Sequence, residues 1–231
     1  MSKKRLVVFT GAGISADSGI KTFRDAGGLW EQYRIEDVAT MDAWHRNRDL
    51  VLDFYNQRRA QIVNAKPNAA HHFLAELQSK FDVQVITQNV DDLHERAGSE
   101  KVLHLHGEIM KARSSVDNNL IYDVSSKGIQ NGDTCAKGSQ LRPHIVWFGE
   151  AVPEMDNANM MAGYADLFVV IGTSLNVYPA AGILNFVLPY APKWLLDPGD
   201  FSLDFVQELK HIQKTAVHGV EDLRAELWKH L

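Results

Sequence analysis

A single cysteine, Cys135, stands among 231 residues, so no intrachain disulfide can form. A lone thiol fits a cytoplasmic setting, which is the expected location. Basic residues are not in excess: 24 Lys and Arg face 29 Asp and Glu, for a net charge of −5. That balance gives no electrostatic case for a nucleic-acid partner. No apolar run approaches the roughly 20 residues that span a bilayer, so no membrane partner is expected. The first residues, Met1-Ser2-Lys3-Lys4-Arg5, are basic, but a short apolar run that ends at glycine comes directly after them. A signal peptide needs a longer apolar core, so none is expected. Internal repeats and low-complexity tracts are also missing. The chain does hold 45% hydrophobic residues, enough to bury a full core as one large domain or one domain with an insertion.

Short apolar runs recur at Leu6–Phe9, Val83–Ile86, Val102–Leu105, Ile145–Phe148, Leu167–Ile171, Trp194–Leu196 and Thr215–Val217. Their lengths suit buried parallel strands. Helical patterns separate several of them, at Pro67–Phe81, Asp156–Tyr164, Ala180–Leu188 and Glu221–Leu231. The last is amphipathic, with Leu223, Leu227 and Leu231 on one stripe. Residues 33–66 are helical and charged without a strand, and residues 113–141 are rich in Ser, Asp, Asn and Gly. Both read as insertions that leave the sheet. The expected fold is α/β: a Rossmann-like parallel sheet with a small lobe formed by two insertions. One domain then covers 1–231, with the large lobe at 1–32, 67–112 and 142–231 and the small lobe at 33–66 and 113–141.

Two strand ends carry the chemistry. Gly11-Ala12-Gly13-Ile14-Ser15-Ala16 comes after the first apolar run and reads as a glycine-rich turn into a helix start, a place for a diphosphate. Turn glycines without a ligand are an equal reading of Gly11 and Gly13 alone. The acidic residue expected about 20 positions on in a dehydrogenase has no good candidate, because Glu31 comes after a loop rather than a second strand. Thr87-Gln88-Asn89-Val90-Asp91 closes another apolar run and drops polar side chains at the sheet edge where ligands bind.

In Leu103-His104-Leu105-His106-Gly107, the two histidines alternate onto one side. Each can be a buried histidine bonded to backbone. His106, at the strand terminus beside Asn89 and Asp91, can also accept a proton from a sugar hydroxyl near neutral pH. Gly172-Thr173-Ser174 is either a phosphate or ribose contact or a plain helix cap. Arg142-Pro143-His144-Ile145-Val146-Trp147-Phe148-Gly149-Glu150 is either a core strand or an edge that pairs with a peptide.

Taken together, the chain resembles the sirtuins, the NAD-dependent protein lysine deacylases, over nearly its whole length. The matching motifs lie at 11–24, 87–91, 105–108, 142–150 and 172–174. The resemblance implies that Gly11, Ala12, Gly13, Ser15, Phe23, Arg24 and Trp30 wrap NAD. Gln88, Asn89 and Asp91 hold the ribose and the nicotinamide pocket, and Asn89 joins His106 in catalysis. It implies that the acyl-lysine oxygen displaces nicotinamide and that His106, as general base, frees a ribose oxygen. The products are lysine, nicotinamide and O-acyl-ADP-ribose. Gly172, Thr173, Ser174, Asp197 and Val220 fall where the family contacts the adenosine end, although many sirtuins carry Asn at the position of Asp197. Val146 and Phe148 line the cleft for acylated lysines of protein substrates. A monomer is expected.

Most sirtuins bind a structural zinc through two Cys-x-x-Cys pairs in the second insertion. Here the corresponding positions are Ser114, Asp117, Cys135 and Gly138, and residues 109–141 contain no histidine. A tetrahedral site needs about four N or S ligands, so no zinc is expected. Tyr55 and Arg58 lie three apart on one helix face and match the Tyr-x-x-Arg motif of sirtuins that remove succinyl and malonyl groups. A guanidinium suits a terminal carboxylate. A solvated helix face is the plainer reading, and Arg59 is expected to point elsewhere and matter little. Transfer of ADP-ribose to protein, or binding of NAD or acyl-lysine without catalysis, are the alternative functions.

Overall fold

The structure is a computed structural model and describes residues 3–21, 32–124, 126–173, 175, 180–200 and 208–231. A six-stranded parallel sheet is built from β1 (Arg5–Thr10), β2 (Asp82–Thr87), β3 (Val102–His104), β7 (Leu167–Ile171), β8 (Lys193–Leu196) and β9 (Leu209–Ile212). Its order is β3-β2-β1-β7-β8-β9. The chain winds outward from β1 in one direction, then returns to the other side of β1 through β7. The gap between the ends of β1 and β7 is therefore the switch point, where open α/β sheets hold ligands.

Alternation along each strand supplies both faces. Leu6, Val8, Val83, Val85, Val169, Ile171, Trp194 and Leu196 pack under the helices Ala69–Leu77 and Ala216–Trp228. Val7, Phe9, Ile86, Phe168, Val170 and Leu195 pack on the other face, under Met155–Gly163 and the 3₁₀ segment Ala180–Phe186. Burial on both faces explains why these strands read as continuous apolar runs.

The segments between β1 and β2 and between β3 and β7 build a second unit. The helices Ile35–Val38, Met41–Arg46 and Arg48–Asn64 share a core with an antiparallel sheet of β4 (Gly107–Ser114), β5 (Ile121–Asp123) and β6 (Leu141–Ile145). Three expectations need correction. Ile145–Phe148 is not a parallel strand; β6 stops at Ile145 and pairs antiparallel with β4. Thr215–Val217 is not a strand either. Thr215 caps the last helix, whose first turn is Ala216, and the true edge strand is Leu209–Ile212. Leu231 leaves the apolar stripe: the helix ends at Trp228 and Leu231 is 60% exposed, whereas Leu223 and Leu227 are buried.

Ser114, Asp117, Cys135 and Gly138 do meet, but not as metal ligands. Ser139 Oγ lies 3.0 Å from Ser114 Oγ and 3.1 Å from Cys135 Sγ. Ser114 Oγ accepts the N–H groups of Val116 and Asp117, and Cys135 Sγ accepts that of Lys137. The Asp117 carboxylate is engaged by Lys137 Nζ at 2.8 Å. A hydroxyl–hydroxyl–thiol chain thus joins the two loops, and this donor set does not fit zinc. Among the described residues, no group of three or more His, Cys, Asp or Glu is disposed to hold a metal ion. No described helix is long and apolar enough to cross a membrane.

Candidate active site

Gly11, Gly13, Gln88, Asn89, Asp91, Gly172, Thr173 and Asp197 stand at or just beyond the C-terminal ends of the parallel strands. After β1, the Gly11 amide donates to the Ile171 carbonyl at 3.0 Å and the Gly13 amide to the Gly172 carbonyl at 2.8 Å. These two bonds seam the switch point shut at backbone level. A Cβ on Gly13 would come 2.7 Å from Gly172 Cα, and Gly172 itself sits at φ +63°, so the junction admits no side chain. Ala12 caps a single helical turn, Gly13–Ala16, shorter than the helix start expected from the sequence. Phe23, Arg24, Trp30 and Ser174 lie outside the described residues.

Ser15 sits at the centre of a buried polar network. The Asn68 backbone N–H donates to His71 Nδ1 at 3.2 Å, so a neutral His71 keeps its proton on Nε2, facing Ser15 Oγ at 3.4 Å. Asn89 Nδ2 also donates to Ser15 Oγ, at 3.1 Å, and Ser15 donates its own proton to Asp91 Oδ2 at 3.1 Å. Burial, with a smaller push from His72, holds His71 down to about 4. Burial also pushes the Asp91 carboxyl up, against the Leu93 N–H, the Ser15 hydroxyl and the positive charges of His104 and Arg58.

The two histidines after β2 divide the work. Burial pulls the His104 imidazole down, but the Glu95 carboxylate at Nε2 and the Asn89 carbonyl at Nδ1 outweigh it, and its pKa is raised. His104 therefore bridges the Glu95 carboxylate and the Asn89 backbone carbonyl. His106 differs: burial lowers its pKa, and among the described residues the opposing contact is Nδ1 to the Gln88 carbonyl, at 3.0 Å. With the proton fixed on Nδ1, the lone pair lies on Nε2. Gln88 Nε2 donates to Thr173 Oγ1 at 3.1 Å, which ties the ends of β2 and β7 together. Asp197, after β8, accepts the Gly199 N–H at 2.8 Å, while Val220 is buried in the packing of the last helix against the sheet.

Tyr55 and Arg58 come from the helix Arg48–Asn64. Tyr55 is 3% exposed and its phenol oxygen accepts Trp147 Nε1–H at 3.0 Å; burial raises its pKa. Burial lowers the pKa of Arg58, against the opposing charges of Tyr55 and Asp91. Arg59 is not the idle neighbour expected. It is fully buried, with Nε donating to the Ile109 carbonyl at 2.8 Å and Nη1 to Asn56 Oδ1 at 2.6 Å.

Val146 and Phe148 come directly after β6. The Val146 N–H donates to the His106 carbonyl and the Phe148 N–H to the Ala39 carbonyl, while the Phe148 ring is 51% exposed. Glu150 pins this segment by accepting Trp147 N–H at 2.8 Å and both Nη atoms of Arg142 at 2.8 and 2.9 Å.

A model of the Sir2 family matches residues 11–179. The chain belongs to the Sir2 family. It is 51% identical over 226 residues to a protein of Bacteroides thetaiotaomicron named "NAD-dependent protein deacylase", covering 96% of this chain and 97% of that one. A Sir2 homologue solved with NAD is 39% identical, with a TM-score of 0.86 over 99% of this chain and 91% of that one. Another, solved with ADP-ribose, has a TM-score of 0.88 at 37% identity, over 99% and 93% of the two chains. In this sirtuin, His71, His94, Thr10 and Trp147 belong to the site's framework, and sequence reasoning does not single them out. Thr10 Oγ1 bonds Thr87 Oγ1 at 2.8 Å and His94 Nε2 at 3.0 Å. The one usable signal is spacing: Asn68 and His71 form a capping box.

Proposed function

We propose that this chain is an NAD-dependent protein-lysine deacylase whose pocket takes acyl groups ending in a carboxylate, succinyl and malonyl, alongside acetyl. One observation carries the acyl preference. The buried Tyr55 hydroxyl accepts a bond from Trp147, and among the described residues none accepts the phenol's own proton. Arg58 lies three residues further along the same helix, and its charge acts on the phenol. A hydroxyl with a proton to give, next to a guanidinium, is the donor set that a carboxylate requires.

The strand-end residues fit NAD through their chemistry. The Gly11–Gly172 junction lies at the switch point, and amide, carboxamide, carboxylate and hydroxyl groups of Gln88, Asn89, Asp91 and Thr173 surround it in sequence and in hydrogen bonding. When bound, NAD supplies a ribose carbon activated by its nicotinamide leaving group. Gly11, Ala12, Gly13, Ser15, Phe23, Arg24 and Trp30 would hold it, with Gln88, Asn89 and Asp91 at the ribose and Gly172, Thr173, Ser174, Asp197 and Val220 at the adenosine end. Asn89 is oriented by Ser15 and His104. His106, neutral at pH 7, takes the proton of a sugar hydroxyl at Nε2. Val146 and Phe148 line the path of the substrate peptide. We read the protein as a cytoplasmic monomer without nucleic-acid or membrane partners, in keeping with a net charge of −5 and one cysteine.

Incubation with NAD and matched acetyl- and succinyl-lysine peptides, with the products read by mass spectrometry, tests this reading. Nicotinamide and O-acyl-ADP-ribose released in equal amounts with each peptide support it. Label from NAD on protein would mark a transferase, and no turnover of either peptide a binding module.

A further inference from the structure

We propose that Trp147 is a specificity-positioning residue: its indole N–H occupies the Tyr55 oxygen and so directs the phenol's single proton toward the carboxylate of a bound acyl chain. The inference rests on the carboxylate pocket proposed above and adds the residue that makes Tyr55 a donor there.

A phenol can donate or accept, and its hydrogen rotates to suit its surroundings, whereas an indole N–H can only donate. With Trp147 Nε1 3.0 Å from the Tyr55 oxygen, the oxygen's role on that side is fixed as acceptor. The proton must then point away from the indole. Both rings are buried, so water does not readily compensate an unused donor. A terminal carboxylate fills that role, and an acetyl methyl does not.

The indole is itself held firmly. The Arg142 guanidinium lies over its face, 3.5 Å from the ring centroid. That guanidinium is clamped by both oxygens of Glu150, which also receives the Trp147 backbone N–H at 2.8 Å. Trp44 packs beside the ring at a centroid distance of 5.8 Å. Turning the indole away from Tyr55 would break this assembly. Trp147 is buried, whereas its neighbours assigned to the peptide, Val146 and Phe148, are half-buried and exposed. Its influence on the acyl group runs through Tyr55.

The test compares kcat and KM on acetyl- and succinyl-lysine peptides of one sequence, for the full chain with saturating NAD. Trp147→Phe should lower the succinyl-to-acetyl ratio of kcat/KM about three- to tenfold, mainly through the succinyl KM, as loss of one neutral hydrogen bond allows. In a Tyr55→Phe background the same change should have no further effect on the ratio. Equal loss on both peptides, or additive effects in the double variant, would overturn the inference. Arg58→Met separates it from the pocket reading. A selective loss there with none in Trp147→Phe overturns this inference alone, and no selectivity in either overturns both. Because Trp147→Phe can lose its fold, a second measurement uses ¹⁵N-tryptophan protein. Tyr55→Phe should move one indole N–H resonance. In the unsubstituted protein a succinyl peptide should move that resonance and an acetyl peptide leave it in place, since a polarised phenol is the stronger acceptor. An identical response to both peptides, or no resonance moved by Tyr55→Phe, contradicts the proposal.

Discussion

Ser15 Oγ lies 3.1 Å from Asp91 Oδ2 and joins the turn after β1 to the turn after β2. That hydroxyl also receives the side chains of Asn89 and His71, so it organises three groups at the strand ends. Ser15→Ala leaves two buried donors and one carboxylate without this partner. The expected cost is about 1–3 kcal/mol of stability and a raised KM for NAD. Thermal melting and NAD saturation curves check it; an unchanged Tm with an unchanged KM would remove Ser15 from its central place.

The buried histidines set an acid limit on the fold. His71 is held down to about 4 against an unfolded value near 6.5, and burial also lowers His94. The unfolded chain takes up these protons first as the pH falls. Stability is therefore complete above about pH 6.5 and is lost progressively toward pH 4, by roughly 3 kcal/mol for His71 alone. Denaturant titrations across this window should show the slope, and His71→Gln should flatten it.

The second insertion should be indifferent to chelators. Elemental analysis is expected to find no stoichiometric zinc, and EDTA should change neither Tm nor activity. Ser139→Ala, which cuts the link between Ser114 and Cys135, should lower stability by about 1 kcal/mol, or roughly 2–4 °C. A zinc ion lost together with activity would show ligands beyond those described.

Adjacent arginines should behave in opposite ways. Arg58→Met is expected to raise the KM for succinyl-lysine about ten- to a hundredfold with far less effect on acetyl-lysine, the size of one charge-assisted bond. Arg59→Met should instead lower the Tm, because it removes the bonds to Ile109 and Asn56, and should affect both substrates alike. Parallel melting and two-substrate kinetics separate the two outcomes.

Arg59 also shows where the sequence stops being legible. Helical periodicity places Arg58 and Arg59 on different faces, but it does not say that the second face meets β4, which turns an arginine expected to matter little into a buried strut. The edge strand Leu209–Ile212 is hidden for a related reason: only its two ends are apolar, and an edge needs no more. Thr215–Val217 resembles a strand because β-branched residues also suit a helix cap and first turn. Ile145–Phe148 reads as one run, yet β6 ends at Ile145 and the Glu150 clamp shapes the turn through Trp147. Trp147 draws no notice between Val146 and Phe148, since alternation alone gives no partner for the opposite face. By contrast, strands buried on both faces announce themselves as apolar runs, and the polar residues just beyond them mark the ligand edge. The glycines are legible as a nucleotide turn, although their tightest constraint is the backbone of Gly172 rather than open space for a phosphate.

The central claim is that His106, with its proton fixed on Nδ1 by the Gln88 carbonyl, acts as the base at Nε2. Its lowered pKa keeps it neutral at pH 7 and puts the acid limb of the kcat/KM profile below the ordinary imidazole value of about 6.5. The decisive measurement is turnover of an acyl-lysine peptide by His106→Ala, with NAD binding measured by calorimetry on the same preparation. NAD affinity should stay within a few-fold of the unsubstituted protein, while turnover falls by about a hundredfold or more. Turnover at the unsubstituted rate would contradict the assignment of His106 as the base.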